Sequence, residues 1–117
     1  AKDTGSILNR IAEKNIKHFV NSASLVEFEG YKVYAVNATS GLRSEVGHRL
    51  AEKTGTFSMV YYYDALDKFW KISLRSVKDF DVSVIAEKYG GGGHKNAAGF
   101  IYQSQFPLPF VKEIEEK

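Results

Sequence analysis

A run of four glycines, Gly90 to Gly93, separates a helical pattern from a strand pattern near the end of the chain. Glycine occupies 10 of 117 positions. By chance, four in a row would arise in fewer than about one such chain in a hundred. Successive glycines can adopt positive φ, and their N–H groups can then converge on an anion with no Cβ in the way. We therefore expect the run to form an anion-binding loop.

Polar and small residues follow the glycines directly. His94 and Lys95 would add hydrogen-bond donors at the edge of the loop, and Asn96 can donate or accept. The strand pattern that follows opens with Ala97, Ala98 and Gly99. Side chains this small would let a ribose or a base approach the backbone.

The same run also fits a purely structural interpretation. One glycine would end a helix and another would allow a bulged entry into a strand, with His94 packed or facing solvent. Four glycines exceed what a cap and a bulge require, so we favour the anion site. The run is not a P-loop, because no Gly-Lys-Ser/Thr follows it. It is not a Rossmann fingerprint either, because it follows a helix and enters a strand.

Composition narrows the class of protein. With 44% hydrophobic and 26% charged residues, the chain is globular in composition, and 117 residues suit one domain. The lack of cysteine removes disulfides, thiolate metal sites and cysteine nucleophiles, and it favours a cytoplasmic location. The chain has no apolar run of about 18 residues and no signal-peptide pattern, so we expect no membrane partner. A net charge of +2 means that any anion site must be local.

Hydrophobic periodicity predicts three helices and about five strands. The helices are expected from Thr4 or Ser6 (with Asp3 as a further candidate cap) to about Val20, from Ser40 or Ser44 to about Lys53, and over residues 82–89. Gly55 is placed to end the second helix and Asp81 to cap the third. The strands are expected over residues 25–28, 31–36, 56–63, 69–74 and 97–102. Pro107 and Pro109 break the pattern beyond them, and a charged tail follows.

Helices interspersed with antiparallel hairpins predict an α/β (α+β) domain, with a single mixed sheet of about five strands and helices packed on it. Aromatic residues 61–63, Phe69 and Trp70 could stack on bases, but one face of paired strands must fill the core. We therefore expect core packing for most of them. Arg43 and His48, on the second helix, are expected to be solvated.

One longer segment carries a family resemblance. Residues 73–100, SLRSVKDFDVSVIAEKYGGGGHKNAAGF, resemble the signature of the DHH-associated C-terminal domain of the DHH phosphoesterases, with the pattern GGGHxxAAG at Gly91 to Gly99. The segment AVNATSGLRSEVGHRLAEK, residues 35–53, is similar to the middle of that domain. The resemblance therefore covers most of the chain.

The resemblance implies a substrate-binding domain of a two-domain phosphoesterase, in which residues 1–117 form a C-terminal fragment. Substrates in the family include short oligoribonucleotides, cyclic dinucleotides, phosphoadenosine phosphate and polyphosphate. Two divalent ions, typically manganese, are held by the N-terminal DHH domain through an Asp-His-His motif. This chain lacks that motif, and His18, His48 and His94 are isolated from one another. We expect the chain to bind a nucleotide or short single-stranded RNA, to hold no cofactor itself, and not to cleave its ligand.

The family pattern gives Arg75 the task of gripping a phosphate, together with the glycines and His94. A permanently charged, forked guanidinium suits that task. Ser76 would add a hydroxyl donor. Without the motif, Arg75 would be read as a surface residue paired with Asp79 or Asp81. The predicted substrate-binding residues are Arg75, Ser76, Gly91, Gly92, Gly93, His94, Asn96, Ala97, Ala98 and Gly99.

Two other functions remain open at this stage. A related domain ends alanyl-tRNA synthetases, so the chain could be an RNA-binding module without phosphoesterase activity. Binding to long RNA would call for a basic stripe, which a net charge of +2 does not favour. Alternatively, the glycines are structural and the domain is a docking or dimerisation surface.

Overall fold

The computed structural model describes residues 2–38 and 42–103 of the chain. They form three helices and six strands. In chain order these are α1 (Lys2–Ser22), β1 (Ser24–Phe28), β2 (Tyr31–Asn37), α2 (Arg43–Thr54), β3 (Phe57–Asp64), β4 (Phe69–Ser76), α3 (Val82–Lys88), β5 (Gly92–His94) and β6 (Ala97–Gln103).

All six strands belong to one sheet with the order β1-β2-β3-β4-β6-β5. β2 and β3 are parallel and are joined through α2, and the other neighbouring strands are antiparallel. The predicted α+β class and single mixed sheet are confirmed. The sixth strand is β5, which forms within the glycine run, where the sequence predicted a loop.

Alternating residues along the strands divide the core between the two faces of the sheet. On one face, Val60 of β3 packs with Val46 and Leu50 of α2 and with Ile16 of α1. We call this the α1/α2 face. On the other, the α3 face, a larger cluster surrounds Met59 and the apolar side of α3. Both clusters consist of buried hydrophobic side chains, so the sheet is the central layer of the domain.

Two of the predicted helix ends are confirmed. Gly55 adopts φ 78° after α2 and donates its N–H to the carbonyl of Ala51 at 2.8 Å. Asp81 accepts the N–H of Ser83 at 2.9 Å and caps α3.

The predicted helix starts are wrong where the structure describes them. α2 has Leu42 at its N-cap with no side-chain cap, and Ser44 lies inside the helix. α1 already includes Lys2, so the candidate caps at residues 3, 4 and 6 lie within it. Ser40, Pro107, Pro109 and the charged tail lie outside the described residues.

A carboxylate in the β1–β2 turn holds the end of α3 just before the glycine run. Glu29 accepts hydrogen bonds from the Lys88 ammonium at 3.0 Å and from the Tyr89 hydroxyl at 2.7 Å. The Tyr89 bond, followed by the Lys88 bond, lowers the pKa of Glu29. Burial and the neighbouring Glu29 raise the pKa of Tyr89. The clamp ties the end of α3 to the first hairpin.

No helix within residues 2–38 and 42–103 is both long enough and apolar enough to cross a membrane.

Candidate functional site

Arg75, Ala97 and His94 form one row across three strands. Arg75 of β4 lies opposite Ala97 of β6, and Ala97 lies opposite His94 of β5. Directly opposed residues of neighbouring antiparallel strands point to the same face of a sheet. With strands about 4.8 Å apart, the backbones of Arg75 and His94 are separated by about 10 Å. The predicted binding residues Arg75 and His94 therefore lie on either side of Ala97 on the α1/α2 face.

The next row of the same face is almost free of side chains. Ser73 of β4 lies opposite Gly99 of β6, which lies opposite Gly92 of β5. Since α2 packs mainly on β2, β3 and β4, none of the described helices covers this end of the face. A groove of about 280 Å³ lies here, and its lining includes Ser73, Gly99, Lys71 and the exposed Ile101. The two rows together form a surface with few side chains, which we call the open floor: Ser73, Ala97, Gly99 and Gly92, bordered by Arg75, His94 and Lys71.

Arg75 is held in place by α2 and by its own strand. Its guanidinium donates to the Leu74 carbonyl at 3.0 Å and to the Ser44 hydroxyl at 3.4 Å. The stem of the side chain packs over Gly47, where a Cβ would lie only 2.6 Å from the Arg75 Cγ. A glycine in the buried middle of α2 thus makes room for the arginine. These bonds engage two of the guanidinium's five N–H donors, and the others have no hydrogen-bond partner among the described residues.

The Arg75 charge has no carboxylate partner among the described residues. None of the ion pairs that they form includes Arg75. Asp79 pairs instead with Lys95, and Asp81 caps α3, so the surface-pair interpretation of Arg75 is wrong. Partial burial, followed by the charge of Arg43, lowers the pKa of Arg75. A half-buried, unneutralised guanidinium is a ready receptor for an external anion.

The backbone of the glycine run does not form the predicted anion nest at its first two positions. Gly90 donates its N–H to the Glu87 carbonyl at 3.1 Å, and Gly91 donates to the Ala86 carbonyl at 2.9 Å. Both amides therefore cap α3. The remaining glycines belong to β5, which pairs with β6. The run is part of the sheet edge rather than a free loop.

The structure explains all but one of the four glycines. Gly90 and Gly93 have positive φ of 84° and 145°, which side chains rarely adopt. A Cβ on Gly91 would overlap the carbonyl oxygen of Gly99 and Phe100. Gly92 has no positive φ, and a Cβ there would meet nothing within 4 Å. By its register Gly92 faces the open floor, so the fold alone does not require a glycine there.

Several of the predicted binding residues lie away from Arg75, among them Gly93, which lies opposite Ala98 and so belongs to the α3 face. Ser76 alternates with Arg75 and is buried on the α3 face, where its hydroxyl donates to the Phe80 carbonyl at 2.6 Å. Asn96 donates from Nδ2 to the Ser76 hydroxyl at 2.8 Å. Ala98 is buried in the core of the same face. Ser76 and Asn96 tie the β4–α3 connection to the turn between β5 and β6.

The sequence profile of the DHHA1 domain matches residues 29–116. The chain belongs to the DHHA1 domain family. The family predicted from residues 73–100 is therefore confirmed. α1 precedes the matched region, whereas the floor and all of its bordering residues lie within it.

Two curated relatives match this DHHA1 domain over part of its length. Protein R106 of Acanthamoeba polyphaga mimivirus is 43% identical over 74 residues, which cover 60% of this chain and 18% of R106. Oligoribonuclease NrnB of Bacillus subtilis is 40% identical over 71 residues, which cover 60% of this chain and 17% of NrnB. The chain thus aligns with less than a fifth of each of these longer proteins.

Solved structures share the fold of the DHHA1 domain. The pGpG-specific phosphodiesterase PggH of Vibrio cholerae has a TM-score of 0.59 and 15% identity, covering 82% of this chain and 35% of its own. An exopolyphosphatase-related protein of Bacteroides fragilis has a TM-score of 0.55 and 22% identity. The match covers 76% of this chain and 28% of the Bacteroides chain. A Helicobacter pylori protein has a TM-score of 0.65 and 19% identity. The match covers 92% of this chain and 30% of the Helicobacter chain.

Metal-ligating side chains do not cluster in the described part of the DHHA1 domain. No group of three or more His, Cys, Asp or Glu side chains in it could hold an ion.

Sequence reasoning missed three residues that build the site. Ser44 was assigned to a helix cap, whereas its hydroxyl accepts a hydrogen bond from Arg75. Lys71 borders the groove, and alternation with Arg75 along β4 could have placed it there. Gly47 gave a usable signal, because a glycine inside a helix costs stability and usually has a packing reason.

Proposed function

We propose that this DHHA1 domain binds the phosphate of a nucleotide or short single-stranded oligoribonucleotide, as the substrate-binding part of a DHH-type phosphoesterase. One observation carries the proposal: Arg75 is a half-buried cation without a carboxylate partner among the described residues, on the same face as His94. A phosphate oxygen is the acceptor that a forked guanidinium fits best.

The floor beside Arg75 suits the rest of such a ligand. Ser73, Gly99 and Gly92 leave the backbone open, so a sugar or base can lie flat on the strands. The groove also exposes an apolar side chain, Ile101, at its rim. Phosphate contacts position a ligand without reading its bases. We therefore expect affinity to depend on the phosphates and only weakly on base identity.

In this proposal the chain contributes orientation rather than bond cleavage. The catalytic ions belong to a separate N-terminal DHH domain, and the chemistry that they supply is activation of a water for attack on phosphorus. Holding the substrate phosphate in a fixed position lowers the entropic cost of that attack. The names of NrnB, an oligoribonuclease, and PggH, a pGpG-specific phosphodiesterase, support an oligonucleotide as the substrate class. The lack of cysteine is consistent with a cytoplasmic enzyme.

The test is an NMR titration of the chain with the dinucleotide pApA, with and without manganese, in the wild type and in Arg75→Gln. In the wild type we expect metal-independent chemical-shift changes at the amides of Gly92, His94 and Gly99. In Arg75→Gln the affinity derived from them should be lower by about tenfold or more. Absence of shifts at millimolar pApA would contradict the proposal. Much tighter binding of a long structured RNA than of pApA would favour an RNA-binding module of the synthetase type.

A further inference from the structure

Arg43 is the first residue of α2 and lies next to Ser44, which accepts a hydrogen bond from Arg75. The helical pattern predicts a solvated Arg43, but its side chain is half-buried. Its guanidinium carbon lies 5.8 Å from the centroid of the Tyr62 ring. Tyr62 lies opposite Lys71, so the ring stands on the α1/α2 face. A cation–π contact thus directs Arg43 towards the face that carries the open floor.

Arg43 and Arg75 are close enough to affect one another. The charge of Arg43 is the second cause, after burial, of the lowered pKa of Arg75. None of the ion pairs within residues 2–38 and 42–103 includes Arg43, Arg75 or Lys71. By contrast, Arg49, on the same helix, is neutralised by Glu13 and Glu45. Two neighbouring guanidinium groups without a counter-ion in the described part of the chain leave a site with an excess of positive charge.

The number of charges on the ligand then becomes the distinguishing quantity. A phosphodiester linkage carries one negative charge, whereas a terminal phosphate monoester carries about −1.5 to −2 at pH 7 and offers three acceptor oxygens. One guanidinium is enough to neutralise a diester. A second guanidinium beside it adds affinity mainly when a second charge and further acceptors are present.

We propose that Arg43 is a specificity-determining residue, which forms with Arg75 a two-arginine clamp for a dianionic terminal phosphate monoester. The inference rests on the proposed function, since it concerns the same floor. It adds that the chain distinguishes a phosphorylated end of a nucleotide from an internal linkage. Arg75 binds either kind of phosphate, and Arg43 supplies the preference for the end.

The test compares two ligands that differ only in one 5′-phosphate, pApA and ApA, by isothermal titration calorimetry. In the wild type, pApA is expected to bind about tenfold more tightly than ApA. In Arg43→Gln this ratio should fall to within about twofold, with the affinity for ApA unchanged. In Arg43→Lys, which keeps the charge but not the fork, the ratio should be intermediate. Arg10→Gln, at an exposed position on α1, should behave as the wild type.

The outcomes separate the two proposals. A wild type that binds pApA and ApA equally, or a ratio that persists in Arg43→Gln, would overturn the clamp while leaving the proposed function intact. A wild type that binds neither ligand would overturn both. Circular dichroism of each variant checks that it is folded, and the Lys variant provides a test if the Gln variant is not.

Discussion

A Cβ on Gly47 would lie 2.6 Å from the Cγ of Arg75 and 3.0 Å from its Cβ, so these two residues share one space between α2 and β4. The crowded atoms belong to the stem of the arginine and not to its mobile end. The helix therefore accepts a buried glycine in its interior, which ordinarily destabilises a helix by about 0.5–1 kcal/mol relative to alanine. The position of the arginine depends on that gap.

The first prediction concerns this pair. Gly47→Ala should lower the free energy of unfolding by about 1–2 kcal/mol, because overpacking outweighs the gain in helix propensity. It should also weaken pApA binding by displacing the guanidinium. In an Arg75→Ala background the same Gly47→Ala change should be neutral or stabilising by up to about 1 kcal/mol. A double-mutant cycle measured by urea denaturation gives the coupling directly. Equal effects of Gly47→Ala in both backgrounds would refute the steric relationship.

A second prediction separates fold from function within the glycine run. Gly91→Ala should destabilise the protein by about 1–3 kcal/mol, because its Cβ would overlap the Gly99 carbonyl and Phe100. Gly92→Ala should leave the free energy of unfolding within about 0.5 kcal/mol of the wild type, because its Cβ meets nothing. It should nevertheless weaken pApA binding, since the new methyl group stands on the open floor. Thermal denaturation and calorimetry on both variants provide the check. Wild-type affinity in Gly92→Ala would show that the ligand does not approach the floor at this position.

The third prediction assigns a role to Asn96. Its amide donates to the Ser76 hydroxyl at 2.8 Å, and weaker contacts reach the carbonyls of Lys78 at 3.3 Å and Phe80 at 3.4 Å. Asn96→Ala should therefore cost about 1–2 kcal/mol of stability. The affinity of the folded protein for pApA should stay within about twofold. If affinity falls while stability is retained, Asn96 contacts the ligand, as the family pattern suggested.

The fourth prediction is a pH dependence at the end of α3. The hydrogen bonds from Tyr89 and Lys88 hold the pKa of Glu29 below its ordinary value of 4.5. A depressed folded-state pKa gives stability that is present above the unfolded-state pKa and is lost as the pH falls through the folded-state value. Below pH of about 4.5 the wild type should therefore lose stability more steeply than Glu29→Gln.

Chemical denaturation at a series of pH values from about 3 to 7 measures this difference in slope. Glu87→Gln makes the same substitution at an exposed position on α3 and should give a curve parallel to that of the wild type. Parallel curves for Glu29→Gln and the wild type would show that the hydrogen bonds of Glu29 to Lys88 and Tyr89 do not contribute to acid sensitivity.

Helix-capping rules predicted the helix ends that depend only on neighbouring residues. Asp81 caps the start of α3 and Gly55 caps the end of α2, as their residue types suggest, because a cap needs only its own neighbours. The predicted Ser44 cap is wrong because α2 begins before it, with Leu42 at the N-cap, and the Ser44 hydroxyl instead accepts a hydrogen bond from Arg75, 31 positions away in the chain. Helix-start rules contain no term for such a partner.

Sequence reasoning did not assign the predicted binding residues to the two faces of the sheet. Arg75 and Ser76 are adjacent in the chain, yet one borders the open floor and the other is buried on the opposite face. The register of β4 against β6 decides which of these two residues borders the open floor, and that register is set by pairing across the whole sheet. The four consecutive glycines likewise predict an anion-binding loop. At Gly91 the cause is instead a close approach to β6, a contact that composition does not reveal.

The open floor consists of hydrogens on Cα, one methyl group and one hydroxyl, with hardly any side chain to exchange. Most substitutions there add bulk, so mutation closes this surface more readily than it changes its chemistry. Changes in ligand preference during divergence should therefore accumulate at the rim, in residues such as Arg43, Lys71 and Ile101. Under the proposed function, the rim residues rather than the glycine motif should distinguish paralogues of this domain by ligand.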